Sequence, residues 1–178
     1  ETEIFELHNL PGGLCTAWER KGYLFDGCIH YLFGSASDRP YHRLWRELGA
    51  VQGRTFVHHE EFMRVTDGDK TLIAYCDPDR LEAHLQELAP QDADLAQDLA
   101  QGVRQFLDFD MSIMQEKPRA LMSPQDGVEM GVKMLGFVPA LVSWGNLDAT
   151  DFARRFKDPF VRRAFPSLFG WREIPMMA

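Results

Sequence analysis

Basic residues are in short supply. Lys and Arg number 19 against 27 Asp and Glu, which leaves a net charge of −8. A chain that wraps nucleic acid needs clustered cations to neutralise phosphates, so no nucleic-acid partner is expected. A small anionic cofactor is not excluded, because backbone N–H groups and a helix N-terminus can hold a nucleotide. Cysteine is scarce as well. Cys15, Cys28 and Cys76 are odd in number and show no paired spacing, which points to free thiols in a reducing, cytoplasmic compartment. No Cys-x-x-Cys or Cys/His cluster has zinc spacing, and no metal is expected. Uninterrupted apolar runs fall short of the roughly 18 residues that suggest a membrane span, and no signal peptide is expected among these residues. Internal repeats and low-complexity tracts are absent too.

Apolar residues are plentiful, at 45%, and aromatics reach 12%, enough for a sizeable core. A length of 178 residues suits one ordinary domain or parts of two. Glu1 leads directly into Ile4-Phe5-Glu6-Leu7, and the chain closes on the apolar Ile174-Pro175-Met176-Met177-Ala178. Domain termini are usually polar surface segments, so both ends are expected to be cuts through a longer protein.

Thr2 to Leu7 is β-compatible and runs into the turn signal Pro11-Gly12-Gly13. The aromatic-rich stretch from Thr16 to Leu32 reads as short strands, with turns at Lys21-Gly22 and Asp26-Gly27. Tyr41, Leu44, Trp45 and Leu48 recur at helical spacing and predict a helix over Asp38 to Leu48, with Gly49 at its exit. A hairpin is expected from Glu61–Thr66 and Lys70–Tyr75 around Asp67-Gly68-Asp69. His58 and His59, just ahead of it, would project to opposite faces of a strand. Asp77-Pro78 opens a helix with the stripe Leu81, Leu85 and Leu88. After Pro90 a second helix carries Leu95, Leu99, Val103 and Phe106 on one face. Helical pieces broken by prolines fill Gln115 to Val142; Asp148 or Thr150 caps a helix through Phe156, and a short helix follows Pro159.

Chemistry is concentrated in the first 34 residues. A dinucleotide-binding fold ends its second strand in a carboxylate that accepts hydrogen bonds from the ribose hydroxyls, and keeps glycines where backbone approaches phosphates. Glu6 ends the candidate strand Ile4-Phe5, and Gly12-Gly13 follows six residues later. A solvated Glu beside a turn would explain that pair alone; the longer string says more. Phe5-Glu6, Pro11 through Trp18, and Lys21-Gly22-Tyr23-Leu24-Phe25-Asp26-Gly27-Cys28-Ile29-His30 resemble the stretch after the second Rossmann strand in phytoene desaturases, retinol saturases and related flavin-dependent oxidoreductases. The resemblance continues loosely through Leu44–Gly49 and Asp79-Arg80-Leu81 to Asp158-Pro159-Phe160-Val161-Arg162-Arg163-Ala164-Phe165.

The order of elements reads as a mixed α and β fold with a helical second half, and the resemblance implies a partial FAD/NAD(P)-binding Rossmann-like domain over residues 1–50 and a hairpin plus largely helical, incomplete substrate-side region over 51–178. It implies FAD as cofactor and a long apolar polyene or isoprenoid as small-molecule substrate. Glu6 would bind the adenosine ribose. Gly12, Gly13 and Leu14 would line the phosphate side, with Thr16 nearby, and Gly27, Cys28, Ile29 and His30 would approach the flavin or the substrate channel. Many relatives carry Arg after the Gly-Gly pair where this chain has Leu14, so an Arg contact to the phosphates does not carry over. The family's Gly-x-Gly-x-x-Gly turn and its C-terminal segment are absent from the sequence. The enzyme runner-up is an amine-oxidase-like flavoprotein acting on an amine or porphyrinogen.

Plainer readings compete at several positions. His30 serves as an acid–base or as a satisfied structural histidine. Cys15 and Cys28 read more readily as small buried hydrophobes than as reactive thiols. Met111, Met114, Met122, Met130 and Met134 line an apolar tunnel or simply pack a core. Arg154, Arg155, Arg162 and Arg163 alternate with Phe152, Phe156, Phe160 and Phe165. Such a pattern suits peripheral contact with an anionic membrane, as in a non-catalytic lipid-binding module, or an ordinary amphipathic pair with a solvated face.

Overall fold

The structure, a computed structural model, describes residues 3, 5–10, 12–13, 15–27, 32, 34–39, 41–107, 109, 117–169 and 173–176. The chain divides into two compact units, Glu1–Phe56 and Val57–Ala178. The fold mixes α and β, with each sheet reduced to one antiparallel hairpin among the described residues.

In the first unit β1 (Ala17–Arg20) pairs with β2 (Tyr23–Asp26), Arg20 opposite Tyr23. Lys21 and Gly22 make the turn with φ of 52° and 77°. Two positive φ values match the right-handed twist of the strands, as in type I′ turns. Trp18 stacks on Phe25 at 6.0 Å across the hairpin. α1 (His42–Glu47) is shorter than the periodicity predicts, and Gly49 leaves it at φ 72°.

The expected strand over Thr2–Leu7 does not form among its described residues, Glu3, Phe5, Glu6 and Leu7. Phe5 and Leu7 are 88% and 104% exposed. The reason is local. The His8 N–H donates to Glu6 Oε1 at 2.9 Å, and the Leu10 N–H donates to His8 Nδ1 at 3.2 Å. Two successive side chains thus capture the N–H two residues on, which bends the backbone away from a ladder.

In the second unit β3 (Glu61–Asp67) and β4 (Lys70–Tyr75) form the expected hairpin, with Asp67 opposite Lys70 and Gly68 at φ 62°. His58 and His59 precede it, exposed and outside any strand. α2 (Pro78–Leu88) begins at Asp77, whose side chain accepts the Arg80 N–H at 2.8 Å. After a 3-10 turn at Pro90–Asp92 comes α3 (Ala93–Leu107). α4 (Pro124–Leu135) opens with a Ser123/Asp126 capping box and is followed by α5 (Val138–Trp144). α6 (Ala149–Ala153), capped by Asp148, and α7 (Pro159–Ala164), capped by Asp158, complete the unit.

Leu72 from β4, Leu81 and Leu85 from α2, and Leu99 from α3 meet Phe152, Phe156, Phe160, Val161 and Phe165 in one core. Each such side chain contributes about 1.5–3 kcal/mol by leaving water. All four phenylalanines interleaved with arginines lie in that core. The apolar face that would enter a lipid surface is therefore already covered. No helix among the described residues is long and apolar enough to cross a membrane.

Candidate functional site

Five of the expected site residues, Glu6, Gly12, Gly13, Thr16 and Gly27, are described, all in the first unit; Leu14, Cys28, Ile29 and His30 lie outside the described residues. The glycine pair forms a tight turn in which the Cys15 N–H donates to the Gly12 carbonyl at 2.9 Å. Gly12 sits at φ 136° and Gly13 at φ 57°. A Cβ on Gly12 would stand 3.0 Å from the Cys15 carbonyl oxygen, while one on Gly13 would meet nothing within 4 Å. Backbone angle and crowding both require glycine at 12; backbone angle alone favours it at 13.

Glu6 is exposed, and its carboxyl is held below the usual carboxylate range. The N–H of His8 contributes most, partial desolvation works against it, and the N–H groups of Leu7, Gly13 and Gly12 add to the lowering. The carboxylate and the glycine-turn backbone are therefore electrostatic neighbours. One short loop brings together an acceptor suited to sugar hydroxyls and a side-chain-free backbone suited to phosphates.

Thr16 and Gly27 close the base of the β1–β2 hairpin, where the Gly27 N–H donates to the Thr16 carbonyl at 2.9 Å. A Cβ at Gly27 would come within 2.7 Å of the Trp18 ring, so glycine here is the floor on which Trp18 lies. Cys15 is exposed, contrary to its reading as a small buried hydrophobe, because it follows a turn that projects no core-facing surface. Met122, Met130 and Met134 are half-buried, whereas Met111 and Met114 fall outside the described residues.

This loop–hairpin–helix stretch has a family counterpart. Residues 1–48 match the family of NAD(P)-binding Rossmann-like domains. The match covers Glu6, the glycine turn, the hairpin and α1, and supports a dinucleotide-binding oxidoreductase segment compatible with FAD or NAD(P). No curated protein and no solved structure matches the chain.

A second place with ligand-sized space lies wholly in the second unit and was not legible from motifs. A cleft of about 420 Å³ opens between α3 and α5, lined by residues that include Gly102, Trp144 and Arg155. Its signal in the sequence is Gly102, a glycine in the middle of an otherwise strong helix. A helix-interior glycine costs roughly 0.5–1 kcal/mol against alanine and calls for a packing reason. The reason is Trp144: a Cβ at 102 would lie 3.0–3.1 Å from its indole.

Proposed function

We propose that the chain is a segment of an FAD-dependent oxidoreductase acting on a long apolar polyene or isoprenoid, by desaturation, saturation or isomerisation. The supporting observation is the proximity of the Glu6 carboxylate to the Gly12–Gly13 backbone, within a stretch that matches a dinucleotide-binding family. Glu6 accepts hydrogen bonds from the ribose hydroxyls. By the family resemblance Gly12, Gly13 and Leu14 are assigned to the phosphate side of the cofactor, with Thr16 as a further contact. The choice of FAD over a nicotinamide rests on the resemblance of Gly22-Tyr23-Leu24-Phe25-Asp26-Gly27 to the element that leads toward a flavin. The same resemblance assigns Gly27, Cys28, Ile29 and His30 to the flavin and substrate side. FAD, when bound, supplies the hydride or electron acceptor, and the chain supplies binding and orientation. The substrate class rests on the resemblance of the segment from Asp158 to Phe165.

The test uses the full-length protein that carries this segment. Glu6→Ala should lower FAD affinity by roughly tenfold, the worth of one charge-assisted hydrogen bond. Flavin absorbance of the purified protein reads the occupancy, and unchanged occupancy removes Glu6 from the site. Anaerobic mixing with a conjugated apolar polyene should bleach the oxidised flavin if the enzyme desaturates. Bleaching by amines alone would overturn the substrate class while leaving the cofactor reading intact.

A further inference from the structure

Asp-Gly is among the most easily rearranged dipeptides, because glycine has no side chain to shield its nitrogen from the preceding carboxyl. Three such pairs occur in this protein: Asp26-Gly27, Asp67-Gly68 and Asp126-Gly127. The fold treats them differently.

At the first, Asp26 ends β2 opposite Ala17, and the Gly27 N–H donates to the Thr16 carbonyl at 2.9 Å. At the third, the Gly127 N–H donates to the Ser123 carbonyl at 3.2 Å at the start of α4. There the Asp126 carboxylate also accepts from the Lys117 ammonium and the Ser123 hydroxyl, each at 2.7 Å, and is held well below the usual carboxylate range. Ring closure needs a protonated carboxyl and a nitrogen released from its own hydrogen bond. Both pairs are therefore guarded.

Asp67-Gly68 is more open. Asp67 stands opposite Lys70 as the last rung of the β3–β4 ladder, so Gly68 and Asp69 form an exposed tip. Gly68, at φ 62°, donates no backbone hydrogen bond among the described residues. The Asp67 carboxylate meets Arg163 at 3.2 Å, and the two side chains are 66% and 64% exposed. An ion pair so open to water holds its carboxylate weakly.

We propose that Asp67 is a site of spontaneous isoaspartate formation in the folded protein. The Gly68 nitrogen attacks Asp67 Cγ and closes a succinimide ring, while the carboxyl's hydroxyl and the amide proton leave together as water. Water then adds back at either ring carbonyl. Opening at the former main-chain carbonyl carries the backbone through Cβ and Cγ and leaves the α-carboxylate as the side chain. Water lost equals water regained, and nothing is oxidised or reduced. The lengthened backbone disturbs the Asp67–Lys70 rung, and the shortened carboxylate draws back from Arg163 on α7.

The experiment keeps the whole 178-residue chain warm at near-neutral pH in heavy-oxygen water, then digests it. Electron-transfer mass spectrometry counts isoaspartate at each Asp-Gly pair. Isoaspartate carrying heavy oxygen should accumulate at Asp67 about tenfold faster than at Asp26 or Asp126, which must first open locally. In urea, where no such turn persists, the three rates should converge. Asp67→Asn, which expels ammonia more readily than water, should speed isoaspartate formation at that position. Asp67→Glu keeps the charge beside Arg163 but must close a larger ring, and should stop it. Equal rates at the three pairs in the folded chain, or product without heavy oxygen, would overturn the assignment. A preference for Asp67 that persists in urea would overturn it too, since neighbouring residues and not the fold would then set the rate.

Discussion

Asp92 Oδ2 accepts the backbone N–H of Asp158 at 2.8 Å, so one buried carboxylate holds in place the residue that carries another. Asp92 also takes the Lys157 N–H, at 2.8 and 3.0 Å to its two oxygens. Asp158 in turn caps α7 through the N–H groups of Phe160 and Val161, at 2.8 and 2.9 Å. Burial pushes the Asp158 carboxyl upward. The Val161 N–H, the Lys70 ammonium, the Phe160 N–H and Gln91 outweigh it and hold the group below its ordinary value.

Removing the first link should cost more than removing a surface acid. Asp92→Ala leaves the N–H groups of Lys157 and Asp158 without their acceptor and should destabilise the second unit by roughly 2–4 kcal/mol. Asp92→Asn keeps one acceptor oxygen and should cost about half as much. Chemical denaturation of the two variants checks this; equal losses would mean that charge, not hydrogen-bond count, matters at this position.

His84 links β4 to α2 in a way that depends on pH. Its Nε2 accepts the Ile73 N–H at 3.0 Å, and its ring meets Tyr75 edge-on at 5.6 Å. Burial pushes the imidazole below its usual 6.5, against smaller opposing contributions from Glu87, the Thr71 backbone and Glu61. Below about pH 6.5 the unfolded chain therefore binds the proton more readily than the folded one. Stability from this group is fully present above that pH and declines as pH falls toward the folded value. Thermal melts between pH 8 and 5 should show a steeper acid-side loss for the parent than for His84→Gln. Parallel curves would count against the link.

The β1–β2 turn carries a removable strain. Lys21 is the described non-glycine residue held at positive φ. Lys21→Asn should stabilise the hairpin by about 0.5–1 kcal/mol, since asparagine tolerates that region better. Gly22→Ala should cost about 1–2 kcal/mol. Cross-strand NMR contacts between Trp18 and Phe25 report the hairpin population. An increase on Gly22→Ala would refute the turn geometry.

What could be read from the sequence was local. Lys21-Gly22 and Gly68-Asp69 announce their hairpins by turn chemistry, and Asp77-Pro78 announces a capped helix, because each signal acts within a few residues. The apolar pattern around Ile4-Phe5 suggested a strand, but a strand needs a partner and the side chains of Glu6 and His8 hold the following N–H groups instead. Glu6 and Gly12-Gly13 were legible as a pair because spacing and residue type carry that signal. The cleft at Trp144 was not, since Gly102 and Trp144 meet only through the packing of two helices.

The Asp92 clasp also orders events in time. Its partners lie 65 and 66 positions further along the chain, and the phenylalanines that cover Leu81, Leu85 and Leu99 come from the same late stretch. At about 5–20 residues per second, a ribosome needs roughly 3–13 seconds to deliver them. Throughout that interval the hairpin and the α2–α3 pair can form from near neighbours, yet their apolar faces stay open to solvent. Those seconds are when the nascent chain most needs a chaperone's cover.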